Sequence, residues 1–143
     1  MKTAKNALAL LLSALMCLAL LPVGAMAKLV PGKEIYSGTC GNDLTWTLDT
    51  ESGVLTISGT GYMYGYNYRY DEYAPWHGYR ITGVVIESGV TSIGMQAFYC
   101  CALTSISIPD SVTFIGESAF EECSSLTSID IPDGVEDICD YTF

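Results

Sequence analysis

The sequence has few basic residues, with 6 Lys and Arg against 16 Asp and Glu and a formal net charge of −10. Nucleic acids and anionic lipids are bound through basic surfaces, so this composition argues against both as partners. The single histidine, His77, and the lack of a C-x-x-C pair argue against a zinc site. A Cys–His nucleophile would need His77 beside Cys100 or Cys101, and nothing in the sequence requires that arrangement. We therefore predict no catalytic residue, no metal site and no cofactor.

The first residues have the features of a signal peptide. Lys2 and Lys5 precede a long apolar run, and Ala25-Met26-Ala27 follows as a small-x-small cleavage site. We predict cleavage after Ala27, with a secreted or cell-surface protein as the product and no membrane insertion after cleavage. Removal of residues 1–27 takes away two of the six basic residues and no acidic one, so the net charge becomes −12.

Apolar residues recur along the second half of the chain at a nearly fixed period. The step is twenty-two and then twenty-three positions, as in Val84, Ile106 and Ile129, in Ile93, Ile115 and Ile138, and in Phe98, Phe120 and Phe143. A constant period in the twenties is typical of a solenoid, in which each coil covers the apolar side of its neighbour.

Each repeat can be divided into short elements. "LTSISI" and "VTSIG" predict strands, "PDS" and "PDG" predict turns, and "ESAFEECSSL" is compatible with a helix. We therefore expect a β-rich α/β solenoid with Cys101 and Cys123 as buried thiols in adjacent coils. The last copy stops at Phe143, so we expect an apolar end that can self-associate.

The pattern from Leu103 to Leu126, L-x-x-I-x-I-P-x-x-V-x-x-I-G-x-x-A-F-x-x-C-x-x-L, resembles the BspA-type leucine-rich repeat family. "SGTCGNDLTWTLDTESGVLTISGTGYM" resembles the region that often precedes these repeats. The resemblance implies a secreted or surface-attached bacterial protein, with adhesion or host-protein binding as in some members. Fold does not determine function, so the ligand stays open.

Three regions follow from these patterns: a signal peptide at 1–27, a cap with a Tyr-rich segment at 28–80, and a leucine-rich repeat solenoid at 81–143, incomplete at its C-terminus. Alternation in residues 44–59 predicts a β-hairpin that covers the first coil.

Two surfaces are candidates for binding a protein or glycan. Tyrosines at every second position would share one face of an extended chain, which makes Tyr64, Tyr66, Tyr68 and Tyr70, together with Trp76, candidate ligand residues. The alternative is that some of these rings pack on the cap. The concave face of the solenoid would present Ser105, Ser107, Ser128 and Asp130. The function we expect is a non-catalytic extracellular binding or adhesion module; the alternative is a carbohydrate-recognition accessory region of a larger secreted enzyme.

Overall fold

A computed structural model describes residues 34–143, and the predicted signal peptide at residues 1–27 lies outside this range. The described chain is rich in strands and contains one short 3₁₀ helix, Tyr68–Tyr70. Within this range, no helix has the length and apolar character needed to cross a membrane. The nine strands are β1 Ile35–Thr39, β2 Leu44–Asp49, β3 Val54–Gly59, β4 Gly61–Tyr62, β5 Gly83–Ile86, β6 Val90–Ile93, β7 Ser105–Ser107, β8 Phe114–Ile115 and β9 Asp137–Ile138.

The first three strands form an antiparallel meander. Alternation in β2 buries Leu44, Trp46 and Leu48 and exposes the threonines between them. The turn between β2 and β3 ends at Gly53, whose φ of 70° suits a residue without a side chain, and its N–H donates to the Asp49 carbonyl. The predicted hairpin at 44–59 is thus confirmed, whereas β1 was not predicted.

The repeats add parallel strands to two sheets. One sheet has the order β1-β2-β3-β5-β7, and the other has the order β4-β6-β8-β9. Gly83 pairs with Ser105, one period later along the chain, and Phe114 pairs with Asp137, again one period later. Each repeat therefore stacks on the previous one in the register that the sequence period predicts, and the "LTSISI" and "VTSIG" strands are present as β7 and β6.

The segment predicted to be helix-compatible does not form an α-helix. Residues 94–101 and 116–123, which we call the turn stack, are successive turns. Alternate N–H groups close local turns, while those between them donate to carbonyls of the following coil, as from Phe98 to Ala119 at 2.9 Å. Gln96 and Cys100 have φ of 53° and 57°, a left-handed conformation that a right-handed helix does not contain. The α component of the predicted fold class is therefore wrong for this segment.

Four aromatic side chains stack through the core and define an aromatic ladder. The centroid separations are 5.8, 5.5 and 5.7 Å, and the interplanar angles are 22°, 12° and 12°. Its members are Trp76, Phe98, Phe120 and Phe143. The first three are buried, and Phe143 is 60% exposed.

Close packing between coils requires residues without side chains. A Cβ on Gly94 would collide with the Tyr64 carbonyl oxygen, and a Cβ on Gly116 would lie 2.6 Å from the Met95 nitrogen. The glycines at these two equivalent positions are therefore required by the short distance between neighbouring backbones.

Candidate functional site

The outer side of the five-stranded sheet carries hydroxyl groups in rows, and we call it the hydroxyl face. The strand register aligns them, because pairing places outward residues of successive strands side by side. One row contains Ser37, Thr47, Thr56, Val85 and Ser107, and the next contains Thr39, Thr45 and Ser58. All of these residues are partly or fully exposed.

The hydroxyl face has little charge and many free hydrogen-bonding groups. The row that starts at Ile35 includes Asp49 and ends at Ser105, and Asp49 is the only charged residue in the three rows. Within residues 34–143, no side-chain hydrogen bond engages the hydroxyls of the two serine and threonine rows. This surface can thus donate and accept hydrogen bonds through its hydroxyl groups.

The residues predicted for the concave face are all exposed. Ser105 and Ser107 lie on β7, in the rows of the hydroxyl face. Ser128 and Asp130 lie one period later, in a stretch where no strand is assigned. Their part in binding stays a prediction.

The prediction that the alternating tyrosines share one face is wrong. Only Gly61–Tyr62 is a strand, and after it the chain turns inward and then forms the 3₁₀ helix. Tyr62 and Tyr64 are exposed, and the Asn42 side chain joins their hydroxyls at 3.3 and 2.7 Å. Asn67 caps the helix by accepting from the Arg69 N–H at 3.1 Å, which takes the following tyrosines out of the period-two pattern.

Two of the predicted ligand residues belong to the core. Trp76 is fully buried and donates its indole N–H to the Ala97 carbonyl at 2.8 Å. Tyr66 is 9% exposed and meets Trp76 edge-on at 5.9 Å. These rings therefore hold the cap on the first coil and are not open to a ligand. The sequence carried a signal for this role, because Trp76 stands one period before Phe98, in the position of the repeat phenylalanine.

Tyr68 and Tyr70 lie on the 3₁₀ helix, near the turn stack. Tyr70 is 75% exposed. The ring of Tyr68 stacks on Tyr99 with a centroid separation of 4.8 Å and an angle of 15°. The Tyr68 N–H donates to the Gln96 side-chain oxygen at 3.1 Å. Tyr68 is thus fixed by contacts to the first complete repeat.

Beside Tyr68 lies an open groove of about 320 Å³. The 3₁₀ helix forms one side of it, and the turn stack forms the other. Its polar and aromatic lining includes Tyr68, Arg69, Gln96, Glu117, Glu121 and Tyr141. Sequence reasoning pointed to Tyr68 alone, since nothing in the linear pattern shows which turn residues it faces.

His77 and Cys101 border the same narrow cleft, which Tyr68 and Gln96 also line. His77 stacks on Tyr73 at 4.3 Å, and no hydrogen bond joins it to Cys101 within the described residues. Burial raises the pKa of Cys101 to about 12, which keeps the thiol protonated. A nucleophilic cysteine needs a lowered pKa, so this pair lacks the electrostatics of a Cys–His centre.

The repeated cysteine is a packing group in the aromatic ladder's coils, and the prediction of two buried thiols is confirmed for Cys123 but not for Cys101, which is partly exposed. Cys123 is buried, its thiol donates to the Phe98 carbonyl of the preceding coil at 3.1 Å, and burial raises its pKa to about 11. Cys40 in the cap is also buried, with a pKa raised to about 12 by burial. All five described cysteines are free thiols, and residues 34–143 contain no cluster of three metal-binding side chains.

Comparison with known proteins identifies the repeats. The profile of the BspA type leucine rich repeat region matches residues 73–143 in six copies. This stretch belongs to the BspA-type leucine-rich repeat family. The match begins at Tyr73, before the predicted boundary at 81, and so includes Trp76 as a member of the aromatic ladder.

A solved structure supports the same assignment. The chain is similar to a leucine-rich repeat protein from Eubacterium ventriosum, with 36% identity and a TM-score of 0.59. The similarity covers 66% of this chain and 25% of that protein, so the chain spans about a quarter of the length of its structural relative. No curated protein matches the chain.

Proposed function

We propose that this chain is a non-catalytic binding module that acts outside the cell and contributes to adhesion by contacting a protein through the hydroxyl face. The observation that carries the proposal is the pair of hydroxyl rows, one across five strands and one across three, neither of which contains a charged residue. A protein partner can pair its own polar groups with these hydroxyls and needs few charges of its own.

The stacked architecture supports a recognition role. We infer that the parallel strands of the two sheets wind as a solenoid, so that each added coil extends the same surface. Such a surface binds by shape, and the described residues on it include no acid–base pair and no nucleophile with an adjacent base. The acidic composition continues to argue against nucleic acid as the partner.

The extracellular setting rests on the leader at residues 1–27. N-terminal sequencing of the protein released by an expressing bacterium should begin at Lys28. Recovery of the intact leader on membrane-bound material would contradict export with cleavage.

The binding role can be tested with matched surface variants. Beads coated with the chain from Lys28 onward would be applied to an array of immobilised extracellular proteins. Retention on at least one protein should fall by about tenfold or more in Ser107→Arg, because a long charged side chain in the hydroxyl face prevents close contact. Ser125→Arg, at an exposed serine outside that face, is the control and should retain binding. Equal retention of both variants would show that the hydroxyl face is not the contact surface.

A further inference from the structure

We propose that the groove beside Tyr68 binds a linear, neutral glycan, one sugar unit per coil. This site is separate from the hydroxyl face, because it lies between the 3₁₀ helix and the turn stack. It therefore does not depend on protein binding by the sheet.

The groove follows the stacking direction of the coils. Gln96, Ser118 and Tyr141 are equivalent residues of three successive coils, and all three line the groove. Their φ values are 53°, 55° and 57°, so the three residues share the same left-handed φ region. A polymer that lies in the groove would meet the same backbone position once per coil.

The spacing of the coils favours a sugar polymer over a peptide. Paired parallel strands of successive coils lie about 4.8 Å apart, and the ring centroids of the aromatic ladder, whose separation includes a sideways offset, are 5.5 to 5.8 Å apart. An extended peptide advances about 3.3 Å per residue, or about 6.6 Å per two residues, and would lose register with the coils. A pyranose ring linked through its 1 and 4 positions is close to one coil spacing in length, so successive sugars can occupy successive coils.

The groove offers both kinds of contact that a sugar needs. The apolar face of a pyranose packs on an aromatic ring, and the groove is lined by Tyr68, whose ring stacks on Tyr99, and by the 73% exposed Tyr141. The Gln96 oxygen already accepts from the Tyr68 N–H, which fixes the amide and leaves its two N–H donors available for a ligand. Arg69 adds donors, and Glu117 adds acceptors for sugar hydroxyls.

The charges of the groove restrict the class of sugar that can bind. The groove is lined by two glutamates, Glu117 and Glu121, and by one arginine, Arg69, in a chain of net charge −10. Sulfated, phosphorylated or uronic acid units would be repelled. A neutral chain of unsubstituted hexoses has no such cost, and its hydroxyls can accept from Arg69 and donate to the carboxylates.

The test is titration of the chain from Lys28 onward with a β-1,4-linked glucose hexasaccharide, followed by calorimetry and by amide chemical shifts. We expect saturable binding, with shifts centred on residues 67–69, 95–96 and 117–121. Tyr68→Ala and Tyr141→Ala should each weaken binding by about threefold to tenfold through the loss of a ring contact. Tyr70→Ala is the control, since this ring is 75% exposed and does not line the groove.

Further variants and ligands distinguish binding in the groove from binding elsewhere. Glu117→Gln removes an exposed charge without removing volume, so it should weaken binding without loss of folding. This variant still tests the proposal if Tyr68→Ala disturbs the 3₁₀ helix. A β-1,3-linked hexasaccharide, which is curved, should bind more weakly than the straight chain. The proposal is overturned if no binding occurs, if the groove variants bind like Tyr70→Ala, or if Ser107→Arg alone abolishes glycan binding. The last result would move the glycan to the hydroxyl face, whereas failure of protein capture alone would leave the groove proposal intact.

Discussion

The aromatic ladder makes a quantitative prediction about stability. Phe120 is 2% exposed and stacks on Phe98 at 5.5 Å and on Phe143 at 5.7 Å. Replacement of a buried phenylalanine by alanine costs about 3–5 kcal/mol in unfolding free energy, because apolar contacts are lost and a cavity remains. We expect Phe120→Ala to lie in the upper half of that range, since its ring has an aromatic neighbour on each side.

A matched control is available in the same coil. Phe114 is the same residue type, but it lies on β8 and is 41% exposed. Full burial of a phenylalanine stabilises by about 1.5–3 kcal/mol, so loss of the partly buried ring in Phe114→Ala should cost about 1–2 kcal/mol. Both variants would be unfolded in urea, with the fluorescence of the two buried tryptophans, Trp46 and Trp76, as the probe.

The difference between the two variants decides the interpretation. We expect Phe120→Ala to be less stable than Phe114→Ala by about 2 kcal/mol or more, which for a domain of this size is a difference of roughly 8 °C or more in Tm. A double-mutant cycle with Phe98→Ala should show a coupling of about 0.5–1.5 kcal/mol for the stacked pair. Equal costs for the two variants, or zero coupling, would refute a stabilising role for the ladder.

Four further predictions concern three single positions and the C-terminal coil. Tyr66→Phe should leave stability unchanged or raise it by about 1 kcal/mol in urea unfolding, because the buried hydroxyl has no hydrogen-bond partner in the described chain; a loss above that amount would contradict this. Gly94→Ala should lower Tm strongly or prevent folding, because its Cβ would collide with a backbone carbonyl; a wild-type Tm would refute the close approach. Burial raises the pKa of Cys101 from 9.0 to about 12, so the unfolded chain ionises first and stability should fall between pH 9 and 12, an effect that Cys101→Ala should reduce in urea titrations across that range. In the polypeptide of residues 28–143, a further coil copied from residues 121–143 and added after Phe143, with a polar last residue, should cover this 60% exposed ring and raise Tm; an unchanged Tm would argue against packing of the added coil on Phe143.

The repeat architecture could be predicted from sequence because each apolar position has an equivalent one coil away. The period placed Ile93 against Ile115, and the structure pairs these residues in β6 and β8. The position one period before Phe98 is Trp76, so the repeat pattern predicts that this indole lies in the core. Aromatic density in the segment around Trp76 suggested a binding surface instead, because a local pattern does not distinguish a ring that packs from one that binds.

Other features could not be read from the linear pattern. Glu117, Ala119 and Glu121 have the apolar and charged spacing of a helix, yet the carbonyls of all three accept hydrogen bonds from the preceding coil. Those hydrogen bonds form only when the coils stack, so the helix propensity of the segment does not predict them. The groove beside Tyr68 depends on the same long-range contacts, which is why only one of its residues was a candidate from sequence.

The order in which partners occur along the chain has a consequence for how the protein folds. The pairs within the β1–β3 meander are close in sequence, whereas every parallel pair joins residues at least a full coil apart. Closing short loops costs less entropy than closing long ones, so we expect the meander to form first and to present β3 as the template for β5. Each docked coil then provides the template for the next, and folding would proceed in the direction of synthesis. Pulsed hydrogen exchange should then show protection of Trp46 before Ile93 and of Ile93 before Ile115, and simultaneous protection of all three would contradict directional growth.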